Sequence, residues 1–179
     1  MTTSTARRAD EVQADKPLWL QLKERGFHSE DILEWFEIRS PPIPITSMLK
    51  DLGVRVHEAQ GVNWEGAVSS SAEGKADVWV RDDSAPARRR FTLAHELGHL
   101  MLHATGVMFR DITTGTLMHP PEEREANAFA AALLMPRALV QPLVYEPGMS
   151  IADMADLFAV SLQAMSIRLD WIRKGRRDL

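Results

Sequence analysis

The amino-acid sequence of 179 residues predicts an α+β fold in which a small antiparallel sheet packs against helices. Three short segments combine β-branched residues with alternating polarity and therefore predict strands, at 54–57, 66–70 and 76–80. Two longer segments, 92–104 and 120–136, have the start and stop signals and the apolar content of helices. The chain is long enough to bury one hydrophobic core.

The first of these helices carries two histidines one turn apart, in the run His95-Glu96-Leu97-Gly98-His99. The i, i+4 spacing places both imidazoles on one face, about 5–6 Å apart, so that they can share one metal ion. This is the HExxH pattern of zinc metallopeptidases. Glu96 is then the candidate catalytic acid–base, because a carboxylate beside the ligands can take a proton from a water molecule. A solvated helix that carries histidines by chance is the alternative interpretation.

The second helix supplies candidates for the third protein ligand that a zinc site needs. It begins with two prolines, carries acids in its first turns and ends at Pro136, as the signals for helix ends predict. Those acids are Glu122, Glu123 and Glu125. Glu123 is the best candidate because it shares a face with Asn127, whose amide can support a ligand through a hydrogen bond. The other two glutamates remain alternatives.

Three more side chains have positions in the sequence that bear on the same site. His119 precedes the second helix and is a candidate substrate-side hydrogen-bond donor or alternative ligand. Tyr145, the only tyrosine, is a candidate oxyanion donor. His103 lies two turns beyond His95, about 12 Å along the helix axis, which is too far for both to bind one ion.

The two motifs resemble those of the ImmA/IrrE family of metallopeptidases: RRRFTLAHELGHLMLH at 88–103 and EREANAFAAALLMP at 123–136. The segment 42–56 is similar to the short helix and first strand that open the catalytic domain of that family. The resemblance covers roughly residues 41–172. It implies a thermolysin-like zincin core with Zn²⁺ bound by His95, His99 and Glu123, and with Glu96 as the acid–base.

The resemblance also implies a role, because members of this family typically cleave a helix-turn-helix repressor or otherwise relieve repression under stress. We therefore expect a zinc-dependent endopeptidase whose protein substrate is a helix-turn-helix transcriptional repressor or an antitoxin. The first alternative is a regulator that binds and sequesters its partner without cutting it. The stretch before residue 41 does not match the family core.

Composition limits the remaining function classes. The chain has no cysteine, which excludes disulfides and thiolate zinc sites and fits the reducing cytoplasm, where we expect the protein. No stretch approaches the ~20 apolar residues of a membrane span, so we expect no membrane association. The net charge of −4 disfavours a general nucleic-acid-binding surface. The sequence gives no indication of the oligomeric state.

We expect four segments: a disordered tail at 1–16, a helical extension at 17–40, the metallopeptidase core at 41–145 and a C-terminal helical segment at 146–179. The last segment resembles a helix-turn-helix, since a capping box at 150–153 is followed by a turn at 159–161 and a second helix. Basic residues near its end are Arg173, Lys174, Arg176 and Arg177. Packing is the favoured role of this helix pair, and DNA binding through it is the second alternative.

Overall fold

In the described residues three helices precede three strands, and a helix, a fourth strand and four more helices follow, so the mixed α and β class is confirmed. The computed structural model describes residues 16–103, 109–112 and 120–176. The helices in these ranges are α1 (Leu18–Glu24), α2 (Ser29–Trp35), α3 (Ile45–Asp51), α4 (Pro86–Leu102), α5 (Pro120–Leu134), α6 (Arg137–Leu143), α7 (Ile151–Phe158) and α8 (Leu162–Arg173). The strands are β1 (Val54–Ala59), β2 (Trp64–Ser70), β3 (Ala76–Arg81) and β4 (Phe109–Ile112).

The sheet is mixed, with strand order β1-β3-β2-β4. β2 is antiparallel to both β3 and β4, but β1 is parallel to β3, with Val54 opposite Ala76. The prediction of an antiparallel sheet was therefore wrong for the β1–β3 pair. Alternating polarity identifies a strand but not its partner or direction. β2 pairs with one edge of β3, and β1 lies on the other edge, where it runs in the same direction as β3.

Helix α4, which carries the HExxH motif, begins at Pro86 and is therefore longer at its start than the predicted helix over 92–104. Proline suits this position because the first N–H groups of a helix have no partner within the helix. The side chains of Leu93, Leu97 and Leu100 are buried. They place α4 between the sheet on one side and α5 on the other, which are its main contacts.

Small residues allow α4 and α5 to approach closely. A Cβ atom on Gly98 would lie 3.1 Å from both the Cα and the carbonyl oxygen of Ala126, so a larger residue would push the helices apart. Ala126 and Ala130 of α5 are fully buried beside Phe129. The alanine-rich sequence of α5 therefore determines how close the two helices come.

The helices that precede residue 41 pack into the same hydrophobic core. Trp19 on α1 is fully buried, and its indole Nε1 donates a hydrogen bond to the carbonyl oxygen of Gly74 at 2.9 Å. Leu22 and Ile32 belong to the same cluster as the buried residues of α4. Of the predicted tail at 1–16, all but Lys16 lies outside the described residues, and the segment boundaries stay a prediction.

The C-terminal helices form the predicted pair with a short turn. The capping box is present, since Ser150 Oγ accepts from the Asp153 N–H at 3.1 Å while Asp153 accepts from the Ser150 N–H at 2.9 Å. Ala159 ends α7 in the left-handed conformation, with φ of 52°. Met154, Phe158 and Leu169 are buried in the core.

Among the helices that the structure describes, none has the length and apolar character of a membrane span.

Replacement of Trp19 by alanine is expected to destabilise the whole domain. Loss of a fully buried tryptophan costs about 3–5 kcal/mol, and here the hydrogen bond to Gly74 is lost as well. Chemical denaturation followed by circular dichroism measures the change, with the half-buried Leu20→Ala as the matched control on the same helix. A Trp19→Ala protein that unfolds at the parent's denaturant midpoint would contradict the integration of α1 into the core.

Candidate metal centre

The structure brings the three predicted ligands together. His95 and His99 project from α4 with their Nε2 atoms 3.0 Å apart. Glu123, at the start of α5, places one carboxylate oxygen 2.7 Å from Nε2 of His99 and the other 3.3 Å from Nε2 of His95. One ligand atom from each residue lies within 4.8 Å of the others. Among the described residues, neither Glu122 nor Glu125 belongs to this cluster.

The surroundings of these side chains favour the protonation states that bind a cation. Burial raises the pKa of Glu123, but contacts with His95 and His99 outweigh this effect and lower that pKa to about 2. Burial also lowers the pKa of His99 below its usual value, although contact with Glu123 partly opposes the change. At neutral pH the carboxylate is therefore ionised and the imidazole of His99 is neutral, which are the states that bind metal ions.

The donor atoms also fit a zinc ion chemically. The Oε1 atom of Glu123 is buried and, within the described part of the chain, has no hydrogen-bond partner of acceptable geometry despite its closeness to His99. A divalent cation between the three side chains would satisfy this oxygen and both ring nitrogens. Two imidazoles and one carboxylate are a typical ligand set of catalytic zinc, which keeps a further position for water or substrate.

Glu96 lies against the sheet and is almost completely buried, with 1% exposure. Its carboxylate fits beside Gly66 of β2, where a Cβ atom would lie 2.5 Å from Oε1 of Glu96 and 2.4 Å from the side chain of Thr92. The role of Gly66 was not predicted from the sequence. Its position inside a strand was the available signal, because an interior glycine often marks the close approach of another group.

The weaker candidates have different outcomes. Asn127 lies beside a predicted ligand, with Oδ1 3.1 Å from Nδ1 of His95, and its supporting role stays a prediction. His119 lies outside the described residues, so its predicted role stays a prediction. Tyr145 follows α6 and is 79% exposed, and it is not among the described residues that line the cleft at the metal centre. Its predicted role as an oxyanion donor thus has no support from a contact.

A polar cleft of about 240 Å³ opens onto the cluster. Two of the predicted ligands line it, together with residues from the first turns of α4 and one residue of α5. Its lining residues are Arg88, Phe91, Thr92, His95, Glu123 and Asn127. The cleft gives solvent and substrate a route to the ligands from the side of α4 that faces α5.

The contact between His103 and the centre was not predicted from the sequence. The Nδ1 atoms of His99 and His103 lie 3.0 Å apart, and Nε2 of His103 lies 3.1 Å from a carboxylate oxygen of Glu125. The i, i+4 rule, applied once more from His99, would have found this pair. His103 thus lies next to a ligand although it is too far from His95 to share its ion.

A helix with the HExxH pattern, a carboxylate from the next helix and a buried glutamate define a metallopeptidase type of site. Residues 49–170 match the model of a peptidase family described as the IrrE N-terminal-like domain. The match covers more than half of the chain and includes all three predicted ligands. The chain therefore belongs to this family, as its resemblance to ImmA/IrrE proteins predicted.

Two curated relatives are radiation response metalloproteases named IrrE. The protein of Deinococcus radiodurans is 32% identical over 90 residues, which are 47% of this chain and 27% of that protein. The protein of Deinococcus deserti is 32% identical over 83 residues, or 45% of this chain and 30% of that protein. The alignments thus span less than a third of the length of either relative.

A solved structure described as a Mycobacterium tuberculosis transcriptional regulator has a similar fold. The TM-score is 0.55 at 14% sequence identity, and the alignment covers 86% of this chain and 50% of that chain. At this identity the similarity concerns the fold alone.

We expect one divalent metal ion per chain, and replacement of Glu123 by alanine should release it or weaken its binding severely. The change removes one of three ligands and leaves the two imidazoles without a counter-charge. Elemental analysis after dialysis measures the metal content, with Glu122→Ala as the matched control. If Glu122→Ala lost the metal while Glu123→Ala kept it, the assignment of the third ligand would be wrong.

Replacement of Gly66 by alanine should displace the carboxylate of Glu96 and leave the metal ligands in place. The added methyl group would lie far inside the contact distance to Oε1 of Glu96 and to Cγ2 of Thr92, so both side chains have to move. We expect an unchanged metal content and a fall in peptide hydrolysis of at least about tenfold, because a small displacement of a catalytic group has a large cost. A Gly66→Ala protein with the parent's hydrolysis rate would show that the position of Glu96 is not constrained by β2.

Proposed function

We propose that the protein is a zinc-dependent metalloendopeptidase of the cytoplasm that cleaves a helix-turn-helix transcriptional repressor or an antitoxin and so relieves repression. One observation carries the proposal. The ligand atoms of His95, His99 and Glu123 converge within 4.8 Å, and the next residue after the first ligand is a buried glutamate. Membership of a peptidase family supports the same conclusion.

The chemistry follows from the positions of the side chains. When bound, a zinc ion supplies Lewis acidity for the scissile carbonyl and for the attacking water. Glu96 takes the proton of that water as general base and later passes it to the leaving amine. Asn127 accepts a hydrogen bond from Nδ1 of His95, which leaves Nε2 of that ring unprotonated and directed at the centre.

The choice of substrate rests on the family resemblance and on what similar proteins are called. Two relatives are named radiation response metalloproteases. The resemblance to the ImmA/IrrE family implies cleavage of a helix-turn-helix repressor or another way of relieving repression under stress. We therefore expect the substrate of this chain to be a DNA-binding protein encoded near its own gene.

DNA binding by the C-terminal helices is less well supported, because several of their cations already have partners within the chain. Arg168 is buried and donates to the carbonyl oxygen of Met135 at 2.8 Å. Lys174 pairs with Asp170 at 2.7 Å, and the guanidinium of Arg176 lies 4.9 Å from the ring of Trp171. These contacts favour a packing role for α8.

The variant Glu96→Gln separates proteolysis from sequestration. It keeps the shape of the side chain and removes the general base, whose loss typically costs about 10²–10⁴-fold in rate. We expect the variant to fold, retain zinc and bind its partner, but to leave the repressor intact. The measurement is an immunoblot of the neighbouring helix-turn-helix repressor after incubation with the zinc-loaded protein.

The exposed Glu58→Gln is the matched control, since Glu58 lies on β1 and pairs with Arg89 away from the centre. It should cleave like the parent. If Glu96→Gln relieved repression in cells as well as the parent while the repressor stayed at full length, sequestration would replace proteolysis as the mechanism.

A further inference from the structure

We infer that His103 is a positioning residue that orients His99 as a metal ligand, and that Glu125 and Lys23 hold His103 in place. The inference rests on the proposed metal centre. His103 caps the C-terminal end of α4 and is too far from His95 to bind the same ion itself.

The protons of the two rings follow from the contacts. Nε2 of His99 faces Glu123 and His95, so it carries no proton when it binds a metal ion. A neutral His99 then carries its proton on Nδ1, which lies 3.0 Å from Nδ1 of His103. His99 must donate in this hydrogen bond, and His103 must accept.

His103 accepts at Nδ1 only if its own proton is on Nε2. That nitrogen lies 3.1 Å from a carboxylate oxygen of Glu125, an acceptor for its N–H. The hydrogen bonds therefore run in one direction, from His99 through His103 to the carboxylate of Glu125. This arrangement fixes the tautomer and the ring plane of His99 and increases the basicity of the nitrogen that faces the metal.

The backbone around His103 is held at the end of α4. Its N–H donates to the carbonyl oxygen of His99 at 3.0 Å, which completes the last turn of the helix. Lys23 of α1 donates from Nζ to the carbonyl oxygens of Leu100, at 2.7 Å, and of His103. A cation at this end of a helix also complements the partial negative charge of the carbonyl groups. The imidazole of His103 is buried, so its position does not depend on solvent.

Helix α5 thus supplies a hydrogen-bond acceptor for each of the two histidine ligands. Asn127 serves His95 directly, whereas Glu125 serves His99 through the ring of His103. Residues two apart on a helix do not face the same direction, so Glu123 and Glu125 cannot both point at the ligands. The imidazole of His103 lies between the two groups and connects Nδ1 of His99 to the carboxylate of Glu125.

Zinc affinity measured by competition with a chromophoric chelator tests the assignment. The variant His103→Leu removes the acceptor and should weaken zinc binding by about 10–100-fold, the usual effect of losing such a partner. The Co²⁺-loaded variant should also show a shifted visible absorption spectrum, because the orientation of one ligand changes. His103→Asn places an amide oxygen near the position of Nδ1 and should restore the affinity to within about threefold of the parent, since it keeps an acceptor for His99.

A second variant avoids the question of whether a buried leucine disturbs folding. Glu125 is half exposed, so Glu125→Ala should leave the thermal unfolding of the metal-free protein unchanged and weaken zinc binding by about threefold or more. Glu122→Ala is the matched control on the same turn and should bind zinc as the parent does.

Two results would overturn the inference while the metal centre itself stands: a His103→Leu protein with the parent's zinc affinity and Co²⁺ spectrum, or a His103→Asn protein as weak as His103→Leu. Failure of the parent to bind zinc would instead overturn the proposed function, and this inference with it.

Discussion

The close approach of α4 and α5 at Gly98 is the contact on which the metal centre depends. A Cβ atom at that position would meet the backbone of Ala126 at 3.1 Å, so only glycine allows this separation without movement of a helix. The separation in turn places Glu123 at 2.7 Å from His99 and Asn127 at 3.1 Å from His95. The third ligand and the support of the first are both consequences of one helix contact.

The sheet determines the other half of the site. Successive residues of a helix differ in direction by about 100°, so Glu96 faces the sheet while its neighbour His95 faces α5. Gly66 of β2 leaves the space that the carboxylate of Glu96 occupies. Helix α4 lies between the sheet and α5. It can therefore direct its two histidines towards α5 and the candidate base, Glu96, towards the sheet.

The parts of the site that follow a helical repeat could be predicted from the sequence, and the parts that depend on distant contacts could not. The spacing of His95 and His99, and that of Glu123 and Asn127, identified both faces before the structure was known. Other features depend on which strands pair in the sheet, and local periodicity carries no such information. These features are the parallel pairing of β1 with β3, the presence of β4 and the position of Gly66 beside Glu96. His103 is different. Its i, i+4 spacing from His99 is present in the sequence, but only its distance from His95 was considered.

Segments that precede the region matched by the family model form hydrogen bonds with both ends of α4, the helix that carries the HExxH pattern. Near its start, Arg90 donates to the carbonyl oxygen of Ile43 at 2.7 Å and to that of Ala159 at 3.1 Å. At its end, Lys23 donates to the last carbonyl groups. Because metal ligands need an orientation set by rigid surroundings, the segment before residue 41 contributes to the centre although it supplies no ligand. Lys23 and Ile43 lie outside the matched region, 49–170, and both form hydrogen bonds with α4.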